Sequence, residues 1–132
     1  MQFVSQVKSI LHTYLSGQGS AEATRDILIG HTNPSGKLTE TYPIHYEDTP
    51  SASFYPGKEV TAEHREALFI GYRYFDTFDK EVLYPFGHGE SYTTFSYSDI
   101  DIKENEVKVS ITNTGALFGE EIVQLYIEKI DS

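Results

Sequence analysis

The chain opens on one strand–turn–helix unit, and having a single such unit is the tightest limit on its fold. Residues 9–15 (SILHTYL) place apolar side chains on both faces, the pattern of a buried parallel strand. Ser16-Gly17-Gln18-Gly19 breaks that run. Ser20 then suits an N-cap, and Glu22 falls in the first turn, where the helix dipole favours an anion. Ala23, Ile27 and Leu28 follow at helical spacing, and Gly30 is placed to end the helix. One strand and one helix cannot cover both faces of a sheet. The unit therefore reads as the tail of an α/β layer.

The other end has the period of a sheet. Alternation predicts a strand near 94–102 and a polar turn at Lys103-Glu104-Asn105-Glu106. A second strand follows, with Val107, Val109 and Ile111 on one face. Residues 122–127 (IVQLYI) predict a third. Three strands at this spacing are the opening of an antiparallel sandwich, which needs about seven. In between, Asn33-Pro34-Ser35-Gly36 suits a type I turn, and residues 38–42 extend from it. Residues 43–66 form a long polar connection with three prolines. Residues 69–97 then pack ten Tyr and Phe into 29 positions, punctuated by Gly71, Pro85, Gly87 and Gly89. Such rings line the rim of a sugar site or glue two domains together, and the second reading is preferred. A length of 132 residues suits one small domain, whereas the pattern predicts two incomplete ones.

Composition narrows the function classes. Net charge is −10, with −3 in residues 1–66 and −7 in residues 67–132, which opposes nucleic acid and anionic membrane surfaces as partners. No apolar run approaches the roughly 18 residues of a membrane span, and the first residues do not read as a signal peptide; the compartment is left open. The absence of cysteine excludes disulfides, thiolate metal sites and cysteine nucleophiles.

The chemistry-bearing residues are scattered. His12, His31, His45, His64 and His88 show no metal-ligand spacing, so neither a metal nor any other cofactor is expected. Glycoside cleavage needs two carboxyl groups about 5–9.5 Å apart. The pairs Glu63/Glu66, Asp76/Asp79 and Glu120/Glu121 are more ordinarily solvated faces. Ser35 and Ser91 lie outside a Gly-x-Ser-x-Gly elbow. Phe86-Gly87-His88-Gly89 lacks the third glycine of a phosphate loop. Gly71–Phe75 has a faint likeness to an RNA-binding strand, which the acidic charge opposes.

Three motifs occur in fixed order: SGQGSAEATRDILIGHTNPSGKLTETYP (16–43), LFIGYRYFD (68–76) and YPFGHGESYTTFSYSDIDI (84–102). Together they resemble glycoside hydrolase family 3, the β-glucosidase family, and residues 109–127 look like the opening strands of its fibronectin type III-like domain. Gly17, Gln18, Asp26, Leu28, Gly30 and Asn33 to Leu38 fit the first motif. Arg65, Glu66, Gly71, Tyr72, Arg73, Tyr74 and Asp76 fit the second. Pro85, Phe86, Gly87, Gly89, Ser91 and Tyr92 fit the third. Ser20 and Ala67 stand where that family commonly has Gly, and Glu90 stands at a usual Leu. A carboxylate buried unpaired there would cost several kcal/mol, so Glu90 is expected to be exposed or paired.

The resemblance implies an α+β chain. Residues 1–57 would be the C-terminal part of the α/β sandwich domain, 58–92 an aromatic-rich connection, and 93–132 the incomplete start of the fibronectin-like domain. It also implies a retaining β-glycosidase acting on a β-glucoside or oligosaccharide, with an Asp nucleophile and a Glu acid/base. In the family the nucleophile lies in an S-D-W-like motif, and this chain has no Trp. The acid/base Glu lies upstream of the Gly-Gln segment, where the sixteen residues present include no Glu. No catalytic residue is therefore assigned, and the isolated chain is expected to be inactive. Arg73, Tyr74 and His88 are the candidates for an active-site rim. The alternative is a non-catalytic β-sandwich module that self-associates through unpaired strand edges.

Overall fold

The computed structural model describes residues 3–57, 60 and 63–129. It is a small mixed arrangement of helix and sheet that divides into two compact units. One runs Lys37–Gly89. The other joins the described residues before Lys37 to those after Gly89.

In the second unit the expected helix forms as α1 (Ser20–Leu28). Ser20 is its first residue and not its cap. The cap is Gly19, and the Gly17 carbonyl accepts the Ser20 N–H at 3.1 Å, so no side chain is needed there. Glu22 lies in the first turn and reaches Arg25 at 3.6 Å. The helix ends as its sequence dictates. Gly30 turns left-handed at φ +76°, its N–H goes to the Ile27 carbonyl, and the His31 N–H goes to that of Asp26. These two bonds satisfy carbonyls that the helix end leaves orphaned.

The hairpin also forms: β3 (Phe95–Lys103) pairs antiparallel with β4 (Glu106–Asn113) across a two-residue loop. Its register shifts once. Ser98 opposes Ser110 and Asp101 opposes Lys108, so Asp99 and Ile100 together face Val109. Asp99 absorbs the extra residue at φ +53°, a conformation that Asp tolerates better than most residues. The bulge re-phases the strand. Tyr97 shares a face with Ile111 and Ile102 shares it with Val107, while Ser98/Ser110, Asp101/Lys108 and Lys103/Glu106 line the other face. Ion pairs Lys103–Asp101 and Lys108–Glu106 run along that polar face.

Three local expectations fail. Residues 9–15 are exposed and not part of a strand, and residues 122–127 do not form a third strand. Both have strand-like composition, but a ladder needs a paired backbone, and neither segment is hydrogen-bonded into a sheet among the described residues. Residues 33–36 form no turn, because the Asn33 side chain bonds distant backbone and not its own. Its Oδ1 accepts the Ser91 hydroxyl at 2.9 Å and the Tyr92 N–H at 2.8 Å, and its Nδ2 donates to the Phe118 carbonyl at 3.0 Å. Gly119 has to be glycine for this clasp, since a Cβ there would lie 2.7 Å from Asn33 Nδ2 and 2.8 Å from Thr93 Cγ2.

The unit Lys37–Gly89 is held by β1 (Tyr42–Pro43) pairing antiparallel with β2 (Val82–Tyr84) and by a short helix α2 (Tyr72–Thr77). Phe75 on α2 is 5% exposed and is the one buried hydrophobic side chain among the described residues.

Candidate functional site

The Lys37–Gly89 unit contains all three rim candidates, in two separate neighbourhoods. The first is built around α2. Gly71 caps that helix at φ +59°, ψ −132°, a region that only glycine visits freely. Before it, Ala67 sits left-handed at φ +50°, and the Phe69 N–H closes onto the Glu66 carbonyl at 2.9 Å. This tight turn brings Phe69 against Phe78 (centroids 5.3 Å apart), and Phe78 against Tyr74 (5.2 Å). The rings form one side of a cleft of about 210 Å³ lined by Pro50, Arg65, Glu66, Phe69, Tyr74 and Phe78. Arg65 lies with its guanidinium 5.0 Å over the Phe54 ring and donates through Nε to Glu63 at 2.7 Å. Tyr74 is thus part of the cleft wall, and Arg73 on the same helix is exposed.

The second neighbourhood is the loop after β2. Its backbone is pinned to residues 37–41: the Leu38 N–H donates to the His88 carbonyl and the Gly87 N–H to the Leu38 carbonyl, both at 2.8 Å. Lys37 Nζ reaches the Gly89 carbonyl at 2.7 Å, and the Phe86 N–H reaches Thr41 Oγ1 at 3.2 Å. His88 is half-buried and stacks on Tyr84 with centroids 5.1 Å apart. A stack of Tyr72 on Phe86 at 5.0 Å ties α2 to this loop. Among the described residues no hydrogen bond, ion pair or ring contact joins Arg73, Tyr74 and His88 directly. Glu90 is exposed, which meets the expectation for a carboxylate at that position.

In the other unit, partial burial, then the hydrogen bond and charge of Glu121 at 2.8 Å, raise the Tyr97 phenol above its ordinary value. No group of three or more His, Asp or Glu converges on a metal-sized point among the described residues. Sequence reasoning missed the cleft as a feature and Asn33 as a clasp. The signal for the cleft was Arg65-Glu66 leading directly into Leu68-Phe69-Ile70. A clasp spanning 58 and 85 residues left no local signal.

The geometry on the page is an exposed aromatic cleft with one half-buried carboxylate, beside a glycine-ordered loop. Comparison with known proteins gives the family. Residues 1–92 match the family model described as the glycosyl hydrolase family 3 C-terminal domain. The chain belongs to that family. It is 46% identical over 140 residues to thermostable beta-glucosidase B of Acetivibrio thermocellus, covering all of this chain and 18% of that protein. It is 37% identical over 130 residues to an exo-alpha-(1->6)-L-arabinopyranosidase of Bifidobacterium longum, covering 95% of this chain and 17% of the relative. Beta-glucosidase 3B of Thermotoga neapolitana, solved in complex with glucose, superposes with a TM-score of 0.71 at 41% identity, over 77% of this chain and 15% of its own. The chain thus spans under a fifth of the relatives it matches.

Proposed function

We propose that this chain is the non-catalytic C-terminal portion of a retaining family 3 β-glycosidase that releases terminal β-D-glucosyl residues. The observation that carries the reading is one of coverage: high identity to a β-glucosidase over the whole chain, within 18% of that enzyme. Retaining cleavage needs a nucleophile and an acid/base about 5–5.5 Å apart, and the cleft here holds a single carboxylate, Glu66. The finer architecture in this reading is a sandwich-domain tail over 1–57, a connection over 58–92 and a fibronectin-like start over 93–132. The amphipathic β3–β4 hairpin supports the last assignment, since one apolar and one polar face is what half a sandwich presents. In this reading Arg73, Tyr74 and His88 serve on the active-site rim; what supports it is that α2 carries the first two and the pinned loop carries His88.

The test is a chimera. The matched span of the Acetivibrio thermocellus enzyme is replaced by these 132 residues, and nitrophenyl β-glucoside hydrolysis is measured for the chimera, for the same enzyme lacking the span, and for this chain alone. Activity in the chimera only is the expected result. Turnover by the pure chain in proportion to its concentration, or an inactive chimera, would overturn the proposal. Within an active chimera, His88→Ala raises KM with kcat nearly unchanged if His88 binds substrate uniformly; an unchanged KM would remove it from the rim.

A further inference from the structure

The chain leaves the loop that carries His88 through Ser91, Tyr92 and Thr93, and one carboxamide grips that exit. Asn33 Oδ1 accepts the Ser91 hydroxyl at 2.9 Å and the Tyr92 N–H at 2.8 Å, while its Nδ2 donates to the Phe118 carbonyl at 3.0 Å. We propose that Asn33 is a positioning residue for this loop: it fixes the point at which the chain leaves it, and through that point the place of His88. The inference rests on the functional reading above, which puts His88 on the rim, and names a residue through which that place is kept.

The chemistry of the partners singles out asparagine. A backbone N–H only donates and a backbone carbonyl only accepts. Tyr92 and Phe118 therefore fix which way the amide faces, and together they require an acceptor and a donor on one short side chain. The neighbouring bonds reinforce the grip. Ser91 Oγ accepts the Thr93 N–H at 3.3 Å, and the Tyr92 hydroxyl donates to the Ile27 carbonyl at 3.0 Å. Thr93 is 7% exposed, and its hydroxyl donates to Asn113 Oδ1 at 2.8 Å. Consecutive residues are thus held in a partly buried setting, where a bond left unmade is costly. The hairpin that begins at Phe95 has its own ladder and needs no help from Asn33. The grip falls instead on the residues nearest the loop. Gly89 and Glu90 are all that lie between it and His88, and the Gly89 carbonyl accepts from Lys37 Nζ at 2.7 Å. With two soft dihedrals per residue, a shift at Ser91 has little chain in which to dissipate before it reaches His88.

The test is made in the chimera, by nitrophenyl β-glucoside kinetics and by hydrogen exchange of the peptide spanning residues 84–92. Asn33→Ala loses all three bonds, whereas Asn33→Asp keeps the acceptor for Ser91 and Tyr92 and loses the donor to Phe118. Both variants lower the thermal-inactivation midpoint, so the midpoint alone does not separate support from positioning. The expected result is KM raised about fivefold by Asn33→Ala with kcat nearly unchanged, no further rise when His88→Ala is added, and KM within about twofold of the parent for Asn33→Asp. Exchange across 84–92 is expected to quicken in Asn33→Ala and not in Asn33→Asp. Ser91→Ala removes one of the bonds, raises KM by less, and takes the place of Asn33→Ala if that variant does not fold. An equal KM rise in Asn33→Asp and Asn33→Ala, a fully additive double variant, or a KM that responds to His88→Ala and to neither Asn33→Ala nor Ser91→Ala would overturn the positioning role and leave His88 on the rim. Quickened exchange with a KM insensitive to His88→Ala would remove His88 from the rim and keep Asn33 as the residue that orders the loop. Unchanged exchange and unchanged KM in every variant would overturn both.

Discussion

Released from any partner, this chain is expected to lack a cooperative fold. The perturbation is simply its isolation: expression of the 132 residues alone. Its exposed area exceeds that of a compact monomer of equal mass by roughly 4,200 Å². Protein surface is about 55–60% apolar, so roughly 2,400 Å² of the excess is hydrocarbon. At ~25 cal/mol per Å², the burial forgone is on the order of 60 kcal/mol, against the ~5–15 kcal/mol by which folded domains are stable. The unfolded chain is itself partly collapsed, which lowers that figure by roughly 10–40% without changing the comparison. Phe75 and Thr93 are the buried side chains among the described residues, too small a core to compensate. The assay is a urea titration followed by near- and far-ultraviolet circular dichroism, with dye binding and sedimentation. Expected are weak near-ultraviolet signal despite ten Tyr and eight Phe, strong binding of a hydrophobic dye, and broad, non-coincident transitions. A monomer with coincident transitions and a slope of about 1–3 kcal/mol/M would refute the reasoning.

Further outcomes are read in the chimera. Ala67→Gly relieves a left-handed Ala at φ +50°; the strain of roughly 1–2 kcal/mol, less the ~0.4–1 kcal/mol that Gly loses in the unfolded chain, leaves a gain of about 0.5–1 kcal/mol, seen as a higher thermal-inactivation midpoint. Asn33→Ala removes three hydrogen bonds and costs about 2–3 kcal/mol, more than Ser91→Ala, which removes one of the three; equal shifts would dissolve the clasp. Gly115→Ala drives a Cβ to 2.9 Å from the Thr94 nitrogen and costs about 1–3 kcal/mol, measured by the same midpoint. The raised Tyr97 phenol keeps its proton longer when folded, so its stabilisation is complete below the ordinary pKa of about 10 and is lost as pH rises through the folded value. A difference titration of phenolate absorbance against Tyr97→Phe should place the lost phenol above pH 10.

What the sequence disclosed follows the range of the forces involved. Helix α1 and the β3–β4 hairpin were legible because their signals are local: Glu22 and Gly30 at the two ends, and a polar four-residue turn between alternating runs. The β1–β2 pairing was not, since it joins Tyr42 to Tyr84 across some forty residues and is only two to three residues long. Residues 9–15 and 122–127 misled for the converse reason. Their composition encodes burial, but burial is a property of what lies against a segment. The rim candidates divide in the same way. Gly87 and Gly89 marked the ordered loop that carries His88, while Gly71 marked the start of a helix and not a loop at Arg73; the cleft that includes Tyr74 is assembled from Pro50 to Phe78 and follows no single period.

The bulge in β3 shows how much one residue carries in such a chain. Read as strict alternation, Tyr97 and Ile102 fall on opposite faces, because five residues separate them and the side-chain period is two. The strand would then present hydrocarbon on both sides and could not distinguish a core from solvent. Inserting Asp99 in the left-handed region shifts the register once and returns Ile102 to the face of Tyr97, Val107 and Ile111. The polar face then gathers Asp101, Lys103, Glu106 and Lys108 into two ion pairs, each of little energetic weight on an exposed surface. Their consequence is directional, since they mark the polar side of the hairpin. Ile102, 73% exposed, stands on the opposite, apolar side, and a face is kept uniformly apolar at the cost of a backbone irregularity only where burying that face repays the strain.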